Sequence, residues 1–119
     1  IEYILFTSFK SAELDFEYEK PLHMKKGRVI IHPDFTININ GSTFYIEHLG
    51  KLDIRTYSQL WQERLDLYKR NKMFSNLITT DDLNGLDKTK IINLIEDLKT
   101  QKIINTPKSN FSGHHYQLY

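Results

Sequence analysis

PDFTININGSTFYIEHLG, residues 33 to 50, consists of two apolar–polar alternations that meet at Asn40 and Gly41. Both residues tolerate the positive φ that a two-residue turn requires, so this pair is typical of a tight β-hairpin. A turn at that point fixes the register and, counting outward, pairs Asp34 with Glu47. The stretch therefore predicts an antiparallel hairpin in which two acids lie directly opposite each other.

In that register the hairpin has one apolar and one polar face. The predicted core face carries Phe35, Ile37, Ile39, Phe44 and Ile46, and the other face carries Asp34, Thr36, Asn38, Thr43, Tyr45 and Glu47. Opposed side chains have Cβ atoms about 4.5–5.5 Å apart, where like charges are destabilising. A divalent cation would compensate, because magnesium accepts one or two carboxylates. The alternatives are a protonated carboxyl group or a different register with the turn at Gly41 and Ser42.

The remaining chain predicts an α/β domain with the element order α-β-β-β-α-β-α. Predicted helices span residues 2 to 11, 56 to 72 and about 87 to 102, and predicted strands span 14 to 20, 29 to 39, 42 to 48 and 76 to 80. Residues 22 to 28 are polar and basic, which favours a loop, and Pro33 interrupts the second strand. In the last helix, with Asp87 as its N-cap, the residues expected to be buried are Ile91, Ile92, Leu94, Ile95 and Leu98. We expect one domain at residues 1–106 and a C-terminal tail at 107–119 that could dock on it.

Composition narrows the possible functions. The chain has 119 residues, 16 of them basic and 15 acidic, for a net charge of +1. The lack of cysteine excludes disulfides and thiolate metal sites and agrees with a cytoplasmic location. No apolar run is long enough to span a membrane, and no glycine-rich phosphate loop supports ATP hydrolysis. Two basic clusters, Lys25, Lys26 and Arg28 and then Lys69, Arg70 and Lys72, favour solvated surface over a contact site.

PDFTI at 33 to 37 followed by YIEHLG at 45 to 50 resembles the PD-(D/E)xK nuclease superfamily. The resemblance is to a branch often fused to DNA helicases, and it extends to YEKPL at 18 to 22 and LITT at 77 to 80. It covers residues 2 to about 98 and includes Trp61 and Tyr68 in the long helix. The resemblance implies a restriction-endonuclease-like core, a mixed central sheet flanked by helices.

The same resemblance implies metal-dependent hydrolysis of DNA phosphodiester bonds, with Mg²⁺ as the cofactor and Mn²⁺ as its substitute. Asp34 and Glu47 match the metal-binding acids of the superfamily, and the main-chain carbonyl of His48 matches a further ligand. Glu2 matches the helical acid that binds a second metal or a metal-bound water. The implied partners are DNA and a helicase or other domain of a larger DNA-processing or defence protein, with no membrane.

One position departs from the pattern, because Leu49 stands where the superfamily has its lysine. Arg64 is the best substitute, since it lies on the same helical stripe as Tyr68 and could bind the scissile phosphate. A cation on an otherwise apolar stripe usually has an anionic partner. Lys20 and Lys51 are weaker substitutes. Because of this departure, a catalytically degenerate nucleic-acid-binding or protein-interaction module remains the alternative to a nuclease.

Three further residues have ordinary structural explanations. His32 and His48 flank the two acids, which invites a transition-metal site, although hydrogen bonding or packing is favoured. Trp61 could stack on a base, but a lone tryptophan on an apolar helical stripe is more often core. The sequence leaves open endonuclease or exonuclease mode, DNA or RNA, and strand or sequence preference.

Overall fold

The computed structural model describes residues 2–50, 55–81, 88–100 and 116–118 of the chain. Its helices are α1 (Glu2–Ser11), α2 (Arg55–Arg70) and α3 (Lys88–Thr100), with a short 3₁₀ helix at Phe74–Asn76. Its strands are β1 (Asp15–Tyr18), β2 (Leu22–Met24), β3 (Val29–Ile31), β4 (Phe35–Ile39), β5 (Ser42–Leu49), β6 (Leu77–Asp81) and β7 (Tyr116–Leu118). The predicted α/β class, a mixed sheet flanked by helices, is confirmed.

The main sheet has the strand order β1-β4-β5-β6-β7, and β2 and β3 form a separate two-stranded sheet. β5 and β6 run parallel, with α2 as the connection between them, and the other neighbouring strands are antiparallel. A parallel pair needs a crossover of this kind because a tight turn cannot join the two strands. The crossover places α2 across one face of the sheet, next to β5.

The β4–β5 hairpin has the register that its turn predicts. Ile39 pairs with Ser42, Ile37 with Phe44 and Phe35 with Ile46. Asn40 has a φ of 49° and Gly41 a φ of 82°, which are the left-handed conformations that a two-residue turn needs. The alternative turn at Gly41 and Ser42 is therefore excluded.

Each face of the main sheet carries its own core. On one face, α1 and α3 cover the predicted apolar face of the hairpin, in a cluster of Leu5, Phe9, Phe35, Ile37, Phe44, Ile46, Ile78, Ile91, Leu94 and Leu98. On the other face, α2 and the small sheet pack in a cluster of Met24, Ile31, Leu49, Trp61, Leu65, Tyr68 and Leu77. The buried Trp61 confirms its predicted place in the core. The hairpin face that carries Glu47 is thus covered by α2.

Several element predictions were wrong. The predicted loop at residues 22 to 28 begins with β2, and the predicted strand at 29 to 39 is two strands in different sheets. Pro33, which has no N–H to donate, lies between those two strands and explains the break. Ile92 is 45% exposed and does not belong to the core. Asp87, the predicted N-cap, lies outside the described residues.

The end of the chain adds one strand to the sheet. β7 pairs antiparallel with β6, from Ile78 with Leu118 to Thr80 with Tyr116. Part of the predicted tail at 107–119 therefore docks on the domain at 1–106, and the other tail residues lie outside the described residues. No helix within the described ranges is long and apolar enough to cross a membrane.

Candidate functional site

A pocket of about 430 Å³ lies where the open end of the β4–β5 hairpin meets α2. Its lining residues are Asp34, Glu47, His48, Leu49, Tyr57, Leu60, Trp61, Glu63, Arg64 and Leu67. The helical members recur at three- and four-residue steps, so they share one face of α2. The pocket therefore brings three carboxylates, those of Asp34, Glu47 and Glu63, and the guanidinium group of Arg64 into a wall of mixed polar and apolar character.

Asp34 lies at a bend just before β4, one residue beyond the last strand pair of the hairpin. Its Oδ2 accepts a hydrogen bond from the backbone N–H of His48 at 2.6 Å. Its own backbone N–H donates to Oε1 of Glu47 at 3.3 Å. The hairpin thus brings the two acids together as predicted, but each carboxylate accepts a main-chain N–H from across the hairpin. These donors offset the repulsion that the sequence predicted.

Glu47 lies on β5 and is only 2% exposed. Arg64 Nη1 donates to Oε1 at 3.2 Å and to Oε2 at 3.1 Å. The Tyr68 hydroxyl donates to Oε2 at 2.9 Å, and the Asp34 N–H donates to Oε1. A carboxylate offers about four lone-pair positions. The donors of this chain therefore use the whole acceptor capacity of Glu47.

Two opposing effects act on the pKa of the Glu47 carboxyl group. Burial raises the pKa of Glu47 above its ordinary value, while the charge of Arg64 and the hydrogen bond from Tyr68 offset part of that rise. Burial and the charge of Glu47 raise the pKa of the Tyr68 phenol well above its ordinary value. Tyr68 therefore keeps its proton and acts as a fixed donor to the carboxylate.

Tyr57 lies near both acids, at the first turn of α2. Burial raises the pKa of the Tyr57 phenol, and the negative charges of Asp34 and Glu47 raise it further. A backbone hydrogen bond from Gly50 acts in the opposite direction. The phenol of Tyr57 therefore stays protonated at the pocket wall.

Leu49 stands where the motif that the chain resembles has lysine, and the structure shows its surroundings. Leu49 is 5% exposed and belongs to the core beneath α2. Of the substitutes, Arg64 reaches Glu47 and Lys20 instead pairs with Glu17 at 3.6 Å, while Lys51 lies outside the described residues. Glu2 begins α1, on the opposite face of the sheet from α2, and its side chain is also outside the described part of the chain.

Neither histidine beside the acids makes a contact that requires a metal. The exposed His32 has its Nδ1 3.1 Å from the main-chain oxygen of Glu19. Nδ1 of His48 lies 2.7 Å from Oγ1 of the buried Thr80 on β6. These contacts are the hydrogen bonds that the sequence analysis favoured over a transition-metal site.

The donor set of the pocket fits a hard divalent cation. Among the described residues no group of three or more His, Cys, Asp or Glu side chains could hold a metal ion together. Asp34 and Glu47 are the two acids that the hairpin brings together, while Glu63 lines the pocket from α2. Magnesium is usually bound through one or two carboxylates and keeps several waters. Since the acceptor positions of Glu47 are filled, a cation there must displace one of its donors. Arg64, whose side chain is 37% exposed, can leave more easily than the buried Tyr68.

Sequence reasoning missed the place of Tyr57 and Leu60 in the site. Tyr57 lies near both acids, and Leu60 is 59% exposed at the pocket. The spacing that carried the signal is the step of seven residues, two helical turns, from Tyr57 to Arg64. Read together with the predicted anionic partner of Arg64, this spacing could have placed Tyr57 beside the acids.

Comparison of the chain with protein-family profiles, with curated proteins and with solved structures finds no match. The case for a function therefore depends on the geometry of the pocket and on the motif resemblance.

Proposed function

We propose that this domain is a metal-dependent nuclease that hydrolyses DNA phosphodiester bonds, with Asp34 and Glu47 as the acidic metal ligands. The observation that carries the proposal is the convergence of both acids with Arg64 on one pocket, at the end of the hairpin. The resemblance of PDFTI and YIEHLG to the superfamily motifs supports the same assignment.

A Mg²⁺ ion, or Mn²⁺ in its place, would be held by Asp34, Glu47 and the main-chain carbonyl of His48. It would lower the pKa of the attacking water and neutralise charge on the phosphate. Tyr68 fixes the orientation of the Glu47 carboxylate through its 2.9 Å hydrogen bond. Glu47 is only 2% exposed, and charges that are buried to this extent interact more strongly than charges in water.

In this proposal Arg64 has the role that the superfamily gives to lysine, at least in part. A guanidinium group keeps its proton, so Arg64 cannot act as a general base. It can bind the scissile phosphate with two parallel hydrogen bonds and stabilise its charge. The partly exposed side chain of Arg64 lies at the pocket, and a rotation would turn it from Glu47 towards a bound phosphate.

The second candidate is a binding module without catalytic activity, and two observations favour it. Leu49 is buried where the superfamily has lysine, and Arg64 with Tyr68 already satisfies Glu47 without a metal. Such a module would use Arg64 only to neutralise a buried acid. It could hold a nucleic acid for a helicase domain of the same chain, or pack against another protein.

A metal-binding measurement separates the two candidates. The wild type and Asp34→Asn are titrated with Mn²⁺, and the bound ion is followed by electron paramagnetic resonance or calorimetry. A nuclease site binds Mn²⁺ in the wild type and loses most of that affinity in Asp34→Asn. Equal, weak binding by both proteins would support the inactive module. Cleavage of labelled DNA in Mn²⁺, and its loss in EDTA, tests the activity itself.

A further inference from the structure

The two basic clusters of the sequence meet in the structure. The turn between β2 and β3 carries the first cluster, and the end of α2 carries the second. The backbone N–H of Lys26 donates to Oδ1 of Asn71 at 2.9 Å, and Nδ2 of Asn71 donates to the carbonyl of Lys26 at 3.0 Å. This reciprocal pair joins segments 45 residues apart in the chain. The basic patch it creates consists of Lys25, Lys26, Arg28, Lys69, Arg70 and Lys72.

A close approach at Gly27 shows how tightly the turn lies against α2. Gly27 has a φ of +99°, a conformation that other residues rarely adopt. A Cβ atom built there would lie 2.7 Å from Cδ2 of Leu67 and 4.0 Å from Nη1 of Arg70. The guanidinium group of Arg70 therefore lies beside the basic turn.

The stability of the local fold does not explain why these six basic residues lie close together. Lys69 and Arg70 favour the negative end of the α2 dipole, but that effect does not place Lys25, Lys26 and Arg28 beside them. All six side chains of the basic patch are exposed. Among the described residues one acid pairs with the patch, Asp66, at 3.7 Å from Arg70, with both side chains more than half exposed. Such a pair contributes little, so the patch keeps an excess of positive charge in a chain whose net charge is only +1.

We propose that the basic patch binds the backbone phosphates of a nucleic acid and leads the strand into the pocket. Leu67 lines the pocket and also meets the turn at Gly27, so the two surfaces adjoin. From Arg64 to Arg70 the helix rises about 9 Å, at 1.5 Å a residue. That distance is about two to three nucleotides of one strand, at 3.4 Å each. The choice of a nucleic acid as the polyanion rests on the proposed function, whereas the patch lies outside the residues assigned to cleavage.

The test measures binding of a labelled DNA duplex in EDTA, so that no cleavage occurs. The patch variant K26Q/R70Q removes one cation from each basic cluster, two of the six, and the matched control K10Q/K99Q removes two exposed lysines from α1 and α3 on the other face of the sheet. Each phosphate contact lowers the slope of log affinity against log salt by about 0.9. We expect the patch variant to bind at least about tenfold more weakly and to lose about 2 units of slope. We expect the control to bind like the wild type.

Asn71→Ala tests the geometry without changing the charge, because it removes the two hydrogen bonds that join the turn to α2. We expect Asn71→Ala to bind DNA more weakly than the wild type. Its thermal unfolding is measured in parallel to show that the fold is intact. Equal affinity and slope in the wild type and the patch variant would overturn the proposal. So would an equal loss in the control, or equal binding of polyglutamate with the same sensitivity to the variants.

The two proposals fail in different ways. Loss of binding in the patch variant, together with no cleavage by the wild type in Mn²⁺, would support the patch and contradict the nuclease. Cleavage by the wild type, together with unchanged binding by the patch variant, would support the nuclease and contradict the patch.

Discussion

Arg64 bridges the two oxygens of Glu47, with Nη1 3.2 Å from Oε1 and 3.1 Å from Oε2, and so ties α2 to β5. The guanidinium group supplies the positive charge that a buried glutamate needs. In this arrangement the arginine and a metal ion compete for the same carboxylate. The competition gives the site a property that can be measured without any substrate.

Replacing Arg64 with Gln should raise the affinity for Mn²⁺ while lowering cleavage. The substitution removes a positive charge beside Glu47. Repulsion between two unit positive charges about 4 Å apart is on the order of 1–4 kcal/mol near a protein surface. We expect Mn²⁺ to bind on the order of tenfold more tightly. The affinity is measured by calorimetry at a pH well above the ordinary pKa of a carboxyl group. The matched control is Arg70→Gln on the same helix, which should leave the affinity unchanged. Weaker Mn²⁺ binding by Arg64→Gln would contradict this competition.

Tyr68→Phe should destabilise the fold through one lost hydrogen bond. The hydroxyl group donates to the buried Glu47 at 2.9 Å, and its loss leaves a charged acceptor without one of its donors. The expected cost is about 1–3 kcal/mol in the free energy of unfolding, measured by urea denaturation. Tyr3→Phe, at a position that is 78% exposed, is the control and should be neutral. A neutral Tyr68→Phe would mean that the bond does not hold Glu47.

Stability should fall as the pH rises above about 10, the ordinary pKa of tyrosine. Burial and the charge of Glu47 hold the pKa of folded Tyr68 above that value, whereas the unfolded chain loses the proton there. The folded state then binds more protons than the unfolded state, so the free energy of unfolding decreases with pH. Urea denaturation across this range should show a shallower decrease in Tyr68→Phe. Equal slopes in the two proteins would show that Tyr68 ionises normally when folded.

Asp34→Asn should leave the fold more stable than Asp34→Ala does. Oδ2 of Asp34 accepts the His48 N–H at 2.6 Å, and an asparagine oxygen can still accept that bond. Alanine leaves the amide without this acceptor, at an expected cost of about 1–3 kcal/mol. Relief of the repulsion between the two acids would by itself act in the opposite direction and stabilise Asp34→Ala. Thermal unfolding of the two variants decides between these signs.

The sequence predicted the centre of the fold well because its signals are local. The turn at Asn40 and Gly41 fixes the hairpin register, and the alternation beside it assigns the core face. The sequence also predicted that Arg64 needs an anionic partner. It could not identify Glu47 as that partner, because the contact depends on how the crossover places α2 on β5.

The features that the sequence did not predict also have physical causes. Residues 22 to 28 have the polar composition of a loop, yet Leu22 and Met24 pack beneath α2 and turn the segment into a strand. The position of its basic turn against α2 was not predicted either, because nothing local reveals that Asn71 forms hydrogen bonds with the backbone of Lys26. Contacts between distant segments therefore account for the parts of the site that the sequence did not predict.

The most direct test of the central claim is cleavage of labelled single- and double-stranded DNA in Mn²⁺, in Mg²⁺ and in EDTA. The wild type is compared with Asp34→Asn and with Asp15→Asn, which changes an exposed acid on β1 of the same sheet. The account predicts metal-dependent cutting by the wild type and by Asp15→Asn, and none by Asp34→Asn with its fold intact by circular dichroism. Cutting that persists in Asp34→Asn, or no cutting by any of the three proteins, would contradict the nuclease site proposed at Asp34 and Glu47.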